Sequence, residues 1–328
     1  MPPSRIARPG RRAVLSLGAL LAAPSVARAQ AWPSRPVRFV VPYGAGNQAD
    51  QVARVLADAL AARWGQRLVV ENLPGAGGAI GVAQIARAAP DGYTIGLIAI
   101  AALAITPHIQ AAPYDPLTDL APLGAVTVSR SALVVHPSLP VNTLAELVAL
   151  ARQRSGDPLF FSSPGIGTIP HLNMEMLARA LAFPAHHVPY RTAGAATADL
   201  VAGRVQMALD GITVTLPHIE AGRLRALFAT GAERLPQLPE VPALAEASPG
   251  LDLPSAWQSV HGPRGLPEEI AARIAADVAA LVADPDFARR LPQGSDALVL
   301  SREETAARIR SDNARFGALV RELGLRAG

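Results

Sequence analysis

Short β-rich runs alternate along this chain with Ala/Leu-rich stretches whose apolar residues recur at helical spacing. Val37 to Val41 reads as a strand stopped by Pro42. The loop Tyr43 to Gln48 then leads into a helix over Asp50 to Trp64, in which Val52, Val55, Leu56, Ala59 and Leu60 share a face. Leu68 to Val70 is the next strand, Pro74-Gly75-Ala76-Gly77-Gly78 opens a second helix, and Pro90-Asp91-Gly92 turns into a strand from Thr94 to Ile98. The apolar run Ile95 to Ile105 is too short to cross ~30 Å of hydrocarbon and ends at Thr106-Pro107, so it reads as a buried strand running into a short helix. A second module starts near Ser131. It holds strands at Leu133 to Val135, Phe160-Phe161, Val188 and Val205 to Leu209, with helices over Leu144 to Arg154, His171 to Ala180 and Ala195 to Ala202. The chain then returns to the first module, with Pro267 at a first helical position, Glu268 and Glu269 in the first turn, and a last helix from Arg302. This alternation predicts mostly parallel sheets flanked by helices, and a chain that crosses and returns predicts a cleft with a hinge.

Composition narrows the function. The 328 residues contain no cysteine and no lysine, which excludes a disulfide scaffold, a Cys-ligated metal or Fe–S site and a thiol nucleophile. The formal charge is +4, but Arg5, Arg8, Arg11, Arg12 and Arg28 lie in a stretch, Met1 to Ala29, that has no acid. Removing it leaves 25 arginines against 26 acids, so the basicity belongs to the leader and nucleic acid loses its electrostatic argument. Arg11-Arg12, the apolar run Ala13 to Ala23 and the A-x-A site Ala27-Arg28-Ala29 describe an export signal with a mature start at Gln30. The paired arginine is the Tat pattern, which Sec leaders also carry. A periplasmic, soluble mature protein is expected.

Two glycine-containing strand-to-helix loops, one per module, carry the candidate chemistry. The first is Tyr43-Gly44-Ala45-Gly46-Asn47-Gln48 with Asp50 behind it; the second is Ser162-Ser163-Pro164-Gly165-Ile166-Gly167-Thr168. Both place backbone N–H groups and small polar side chains at a helix start, where the dipole favours an anion, and neither contains an arginine. Asp50 also has a plainer role at the positive end of its own helix, beside Arg54. Arg191, after Tyr190, and Asp210, at a strand end, are further candidates. A rival reading takes Gly44-Ala45-Gly46-Asn47-Gln48-Ala49 as G-x-G-x-x-A with Glu71 as a ribose partner, which would make the chain a Tat-exported dinucleotide-dependent oxidoreductase. Pro42-Tyr43 interrupts that motif's usual junction. There is no G-x-S-x-G and no H-E-x-x-H, and His186-His187 is not at metal-ligand spacing. No metal and no cofactor are expected.

The ordered motifs across the mature chain resemble a known family. They include Val41-Pro42-Tyr43 with Asp50 and Arg54, Val70-Glu71-Asn72 with Pro74 to Gly78, Ala89 to Thr94, Tyr114-Asp115-Pro116, Ser163 with Gly165, and Gly167-Thr168 with His171-Leu172. His187-Val188-Pro189-Tyr190-Arg191, Asp210, Pro217-His218-Ile219, Pro239 to Pro242 and Trp257 follow in order. The chain thereby resembles the substrate-binding proteins of tripartite tricarboxylate transporters, the Bug or TctC family. The resemblance implies an α/β, two-lobed, type II periplasmic-binding-protein fold, each lobe a mixed, mostly parallel sheet flanked by helices. It implies a division into leader 1–29, one lobe from 30–130 and 253–328, and the other from 131–252. It also implies a monomeric receptor, not an enzyme, that takes a small organic carboxylate and serves a transporter's membrane subunits; an orphan receptor for a sensor kinase would share the binding. In such proteins the loops matching Tyr43 to Gln48 and Ser162 to Thr168 grip carboxylates, partly through ordered water. This chain departs where Asn47 and Gln48 bring amide side chains and where Ile98 to Ala104, with Ala101 and Ala102, is wholly apolar. Thr192 and Ala195 also replace the usual glycine and proline. A greasy wall predicts a less polar ligand than citrate or an amino acid, either a monocarboxylate, aromatic or aliphatic, or a dicarboxylate with a long apolar middle, since each unmet buried hydroxyl costs roughly 1–3 kcal/mol.

Overall fold

In the computed structural model, which describes residues 32–154 and 157–326, the apolar runs pair into two sheets. The leader read at residues 1–29 lies outside the described residues. The elements run β1 (Val37–Val41), α1 (Gln48–Trp64), β2 (Leu68–Asn72), α2 (Ala79–Ala86), β3 (Thr94–Ala99), α3 (Ile100–Ala104), α4 (Thr106–Ile109) and β4 (Leu120–Ser129). The second sheet's elements are β5 (Ser131–Val135), α5 (Leu144–Gln153), β6 (Leu159–Ser163), α6 (Ile169–Ala180), β7 (Ala185–Pro189), α7 (Ala193–Val201), β8 (Met207–Gly211), α8 (Ile212–Glu220) and β9 (Arg225–Ala229). After α9 (Leu244–Ala247) the chain returns as β10 (Ala256–Pro263), α10 (Glu268–Val282), α11 (Pro285–Arg290), β11 (Ser295–Ala297) and α12 (Arg302–Glu322). Among the described residues, no helix is long and apolar enough to cross a membrane.

The first sheet has the order β11-β4-β10-β3-β1-β2 and the second β7-β6-β8-β5-β9. The balance of directions differs from a mostly parallel reading. β1 pairs in parallel with β2 and β3, and β6 with β7 and β8. The strands that serve the crossing, β4, β5, β10 and their neighbours, pair antiparallel. The reason is topological: a strand entering from the other lobe arrives at the opposite end of the sheet and runs against its neighbours. β4 and β10 are also the strands least visible to periodicity. Pro122 and Gly124 interrupt β4, and β10 hides the buried polar residues Gln258, Ser259 and His261 among apolar ones.

Each sheet is covered on two faces. In the first lobe, Leu56, Leu60, Ile274 and Val278 pack on one face, and Val82, Ile85, Trp257 and Phe316 on the other. The second lobe has the same arrangement around Phe161, Leu177 and Phe228, with Leu200, Val205 and Leu216 opposite. One residue, Arg130, separates β4 from β5. Its N–H donates to Gly294 O in the first lobe, while its carbonyl accepts from Ile212 N in the second. Its guanidinium donates to Asp296 Oδ2 (2.7 Å) and to Thr230 O (2.9 Å), again one partner on each side. Ile169 and Leu172 at the start of α6 pack into the first lobe's second face, so the two lobes touch beside the first turn of α6.

Candidate functional site

The first loop is held shut from behind. Asn47 caps α1, its Oδ1 accepting from the Asp50 N–H at 2.9 Å. The buried Asp50 carboxylate accepts from Gly46 N (2.8 Å), Arg54 Nε (3.1 Å) and Asn72 Nδ2 (3.0 Å). Burial alone would push this acid up, but the Arg54, Gly46 and Asn72 donors together hold it below the ordinary carboxylate value. The Gln48 amide spans two hydroxyls, donating to Ser295 Oγ (2.8 Å) and accepting from Ser129 Oγ (3.1 Å) beside the crossing residue. Both amide side chains that set this loop apart are therefore engaged by the fold. So is the Gly46 N–H that a dinucleotide pyrophosphate would need.

The second loop rests on a stack of rings. The Gly167 N–H donates to His171 Nδ1 (3.1 Å), which places the His171 proton on Nε2, 3.9 Å from Glu175 Oε1. His171 and His187 stack with centroids 3.8 Å apart, and Phe161 stacks against both. Ser163 Oγ accepts from the Gly165 N–H (3.2 Å) and lies 2.7 Å from His187 Nε2. Burial depresses both imidazoles to about 4, and for His171 the adjacent His187 adds to the effect. At neutral pH the loop thus sits on two uncharged rings.

Between the lobes lies a cavity of about 610 Å³. Its first-lobe wall is formed by Tyr43, Gly77, Ala99, Ala101, Ile105 and Thr106, with Ile109 and Gln110 beyond. Its second-lobe wall is Ile166 to Pro170, and Ala256 and Arg326 complete it. The Tyr43 hydroxyl is buried against the Ala99 backbone without a well-formed hydrogen bond among the described residues, and burial raises its pKa well above the ordinary phenol value. The turn from Gly75 to Gly78 is left-handed throughout, with φ of +130°, +48°, +63° and +94°. Its carbonyls are fastened from α4 and just beyond it: Thr106 Oγ1 donates to Gly77 O (3.2 Å) and Gln110 Nε2 to Ala76 O (2.6 Å). The walls meet at Gly167, where a Cβ would stand 2.1 Å from Ile109 Cδ1.

Of the residues singled out from sequence, Tyr43, Ala101, Gly167 and Thr168 line this cavity. Gly44, Ala45, Gly46 and Asn47 are exposed next to Tyr43, and Gln48 and Asp50 face the fold as described. Ala102 is fully buried, its carbonyl accepting from the Tyr114 hydroxyl (2.6 Å). Ser162 is buried at the end of β6 with its hydroxyl unpartnered, and Ser163 and Gly165 belong to the ring-supported network. Tyr190 donates to Asp199 Oδ2 (2.8 Å), Arg191 is exposed, and neither lines the cavity. Asp210 is buried at the end of β8; burial pushes its carboxyl up to about 6, and it accepts from the Gly211 N–H (2.7 Å). Sequence reasoning missed Gly77, Thr106, Gln110 and Arg326. The four-residue Gly/Ala turn after β2 and the polar break at Thr106 were the available signals for the first three. Arg326 carried none, because it reaches the cavity only through the docking of α12.

Residues 52–325 match the tripartite tricarboxylate transporter family receptor, TctC. The chain is 34% identical to a UPF0065 protein of Bordetella bronchiseptica over 321 residues, 97% of this chain and 95% of that one. Among solved structures it is similar to the R. palustris protein Rpa4515 with adipate, at 31% identity and a TM-score of 0.76, covering 90% of this chain and 99% of that one. It is likewise similar to the periplasmic binding protein BugD, at 31% identity and a TM-score of 0.71 with the same coverage. With its motifs, two-lobed fold and interlobe cavity in agreement with these likenesses, the chain belongs to the Bug/TctC family of tripartite tricarboxylate transporter receptors.

Proposed function

We propose that this chain is a periplasmic receptor, without catalytic machinery, that closes its two lobes over a small organic carboxylate and delivers it to the membrane subunits of a tripartite tricarboxylate-type transporter. The observation that carries the reading is the cavity itself, walled by both lobes, with the Gly167 turn abutting Ile109 across it. A ligand seated there touches both lobes at once, which is how binding energy is converted into closure. The Gly77 turn, Thr106, Thr168 and Arg326 make up the polar part of its lining, and Ala99, Ala101, Ile105 and Ile166 make the rest apolar. Gly44 to Gln48 and Ser162 to Gly165 support those lining positions from behind and beside, with 30–130 and 253–328 forming one lobe and 131–252 the other. The adipate carried by the R. palustris relative fits the same class: two carboxylates on a hydrocarbon chain.

A thermal-shift screen of carboxylic acids tests this. A ligand at 100 times its Kd stabilises the folded state by about 2.7 kcal/mol, and straight-chain mono- or dicarboxylates are expected to give the largest shifts. A panel in which no acid shifts the transition would overturn receptor function. One in which citrate shifts it most would overturn the apolar assignment.

A further inference from the structure

Donor by donor, the cavity's polar groups are nearly all committed. Thr106 Oγ1 and Gln110 Nε2 donate to the carbonyls of the Gly75 to Gly78 turn, and Thr168 Oγ1 donates to Gly165 O (2.8 Å). Among the lining side chains that leaves Arg326, because the Tyr43 hydroxyl is buried beneath the wall, out of a ligand's reach. Among the described residues Arg326 is the one charged position lining the cavity, and it makes no ion pair with any of them.

Its position is built, not accidental. α12 ends in a left-handed glycine cap: Gly324 has φ +63°, its N–H donates to Arg321 O, and the Leu325 N–H reaches back to Val320 O. That turn folds Leu325 onto the apolar cluster around Trp257 and Phe316, which leaves the next side chain, Arg326, at the cavity. α12 packs against α3 and β4, whereas Tyr43 follows β1. The alanine and isoleucine side chains that line the cavity cannot pair with a polar group.

We propose that Arg326 is a specificity-determining residue that grips the far carboxylate of an α,ω-dicarboxylate whose near carboxylate sits by the Gly77 turn. The proposal rests on the carboxylate-receptor reading. It goes beyond it by selecting a doubly charged acid with a hydrocarbon middle over a monocarboxylate. A guanidinium offers two parallel donors to a carboxylate and loses one ligand class when its charge is removed.

Calorimetric titration of the purified protein with adipate and with hexanoate, six-carbon acids differing in one terminal group, tests it. Wild type is expected to bind adipate at least five-fold more tightly than hexanoate, with the gap narrowing as salt is raised. Arg326→Gln is expected to erase the gap by weakening adipate alone, and Arg326→Lys to restore part of it. Since Arg326 is exposed, neither variant should move the unfolding transition without ligand. Wild type binding both acids equally, or Arg326→Gln keeping the preference or weakening both acids alike, would overturn the proposal and leave carboxylate capture standing. Binding of neither acid would overturn the proposal, and carboxylate capture would then be decided by the wider panel of acids.

Discussion

At Gly167 the backbone holds φ +75° while the opposite lobe stands where a side chain would begin. An alanine there adds left-handed strain of about 1–2 kcal/mol, and its methyl group displaces the end of the Ile109 side chain across the cavity. Gly167→Ala is therefore expected to weaken carboxylate binding at least ten-fold by calorimetry, and Gly167→Glu to abolish it. Gly46 is the control: its φ is +82° but nothing lies within 4 Å, so Gly46→Ala should lower stability by about 1 kcal/mol and leave affinity within two-fold. Asp50 makes the complementary case. Asp50→Ala leaves the Gly46, Asn72 and Arg54 donors without their acceptor, an expected loss of about 2 kcal/mol in denaturant unfolding. Here the sequence was half legible. It showed that Asp50 stands at a helix start beside Arg54, but not that the carboxylate would turn back onto Gly46, because that depends on the loop closing over it.

Among the elements, α6 and β7 meet through His171 and His187, and this couples the second loop to pH. Their folded pKa values, about 4, lie below the ordinary 6.5, so between those values the unfolded chain binds more protons than the folded one. Stability is then complete above pH 6.5 and is lost as the pH falls toward 4. For the deeply buried His171 the loss is on the order of 2 kcal/mol. His261, depressed to about 3, acts in the same direction, whereas Asp210, raised to about 6, stabilises on acidification and opposes them. Replacing His171 by Asn should flatten the denaturant midpoint between pH 7 and pH 4.5 without abolishing its slope; an unchanged slope would show that the stack does not titrate. Periodicity located α6 and β7, and the strand-to-helix loops placed Gly167 correctly at a turn. It could not show two rings 3.8 Å apart, since their residues are 16 positions apart and meet only when β6 and β7 pair. The Gly77 turn escaped notice as part of the cavity for the same reason: Thr106 and Gln110, which fasten it, come from another helix.

For the molecule as a whole, Arg130 binds both lobes. Arg130→Ala removes a partly buried ion pair with Asp296 and a hydrogen bond to Thr230, and is expected to lower stability by about 1–3 kcal/mol. It should also enlarge the difference in small-angle scattering between ligand-free and ligand-saturated protein. The two-lobed plan was readable from the alternation of runs and the return at Pro267. The antiparallel strands at the crossing were not, because their polar and proline-broken sequences obey the other lobe's geometry rather than a local period. The crossing itself has a kinetic consequence. At the β4–β5 crossing a joint one residue long, hydrogen-bonded to each side, leaves little slack for swivelling. On the receptor reading, an arriving acid is expected to meet walls that need only tilt inward, with no search through mutual orientations.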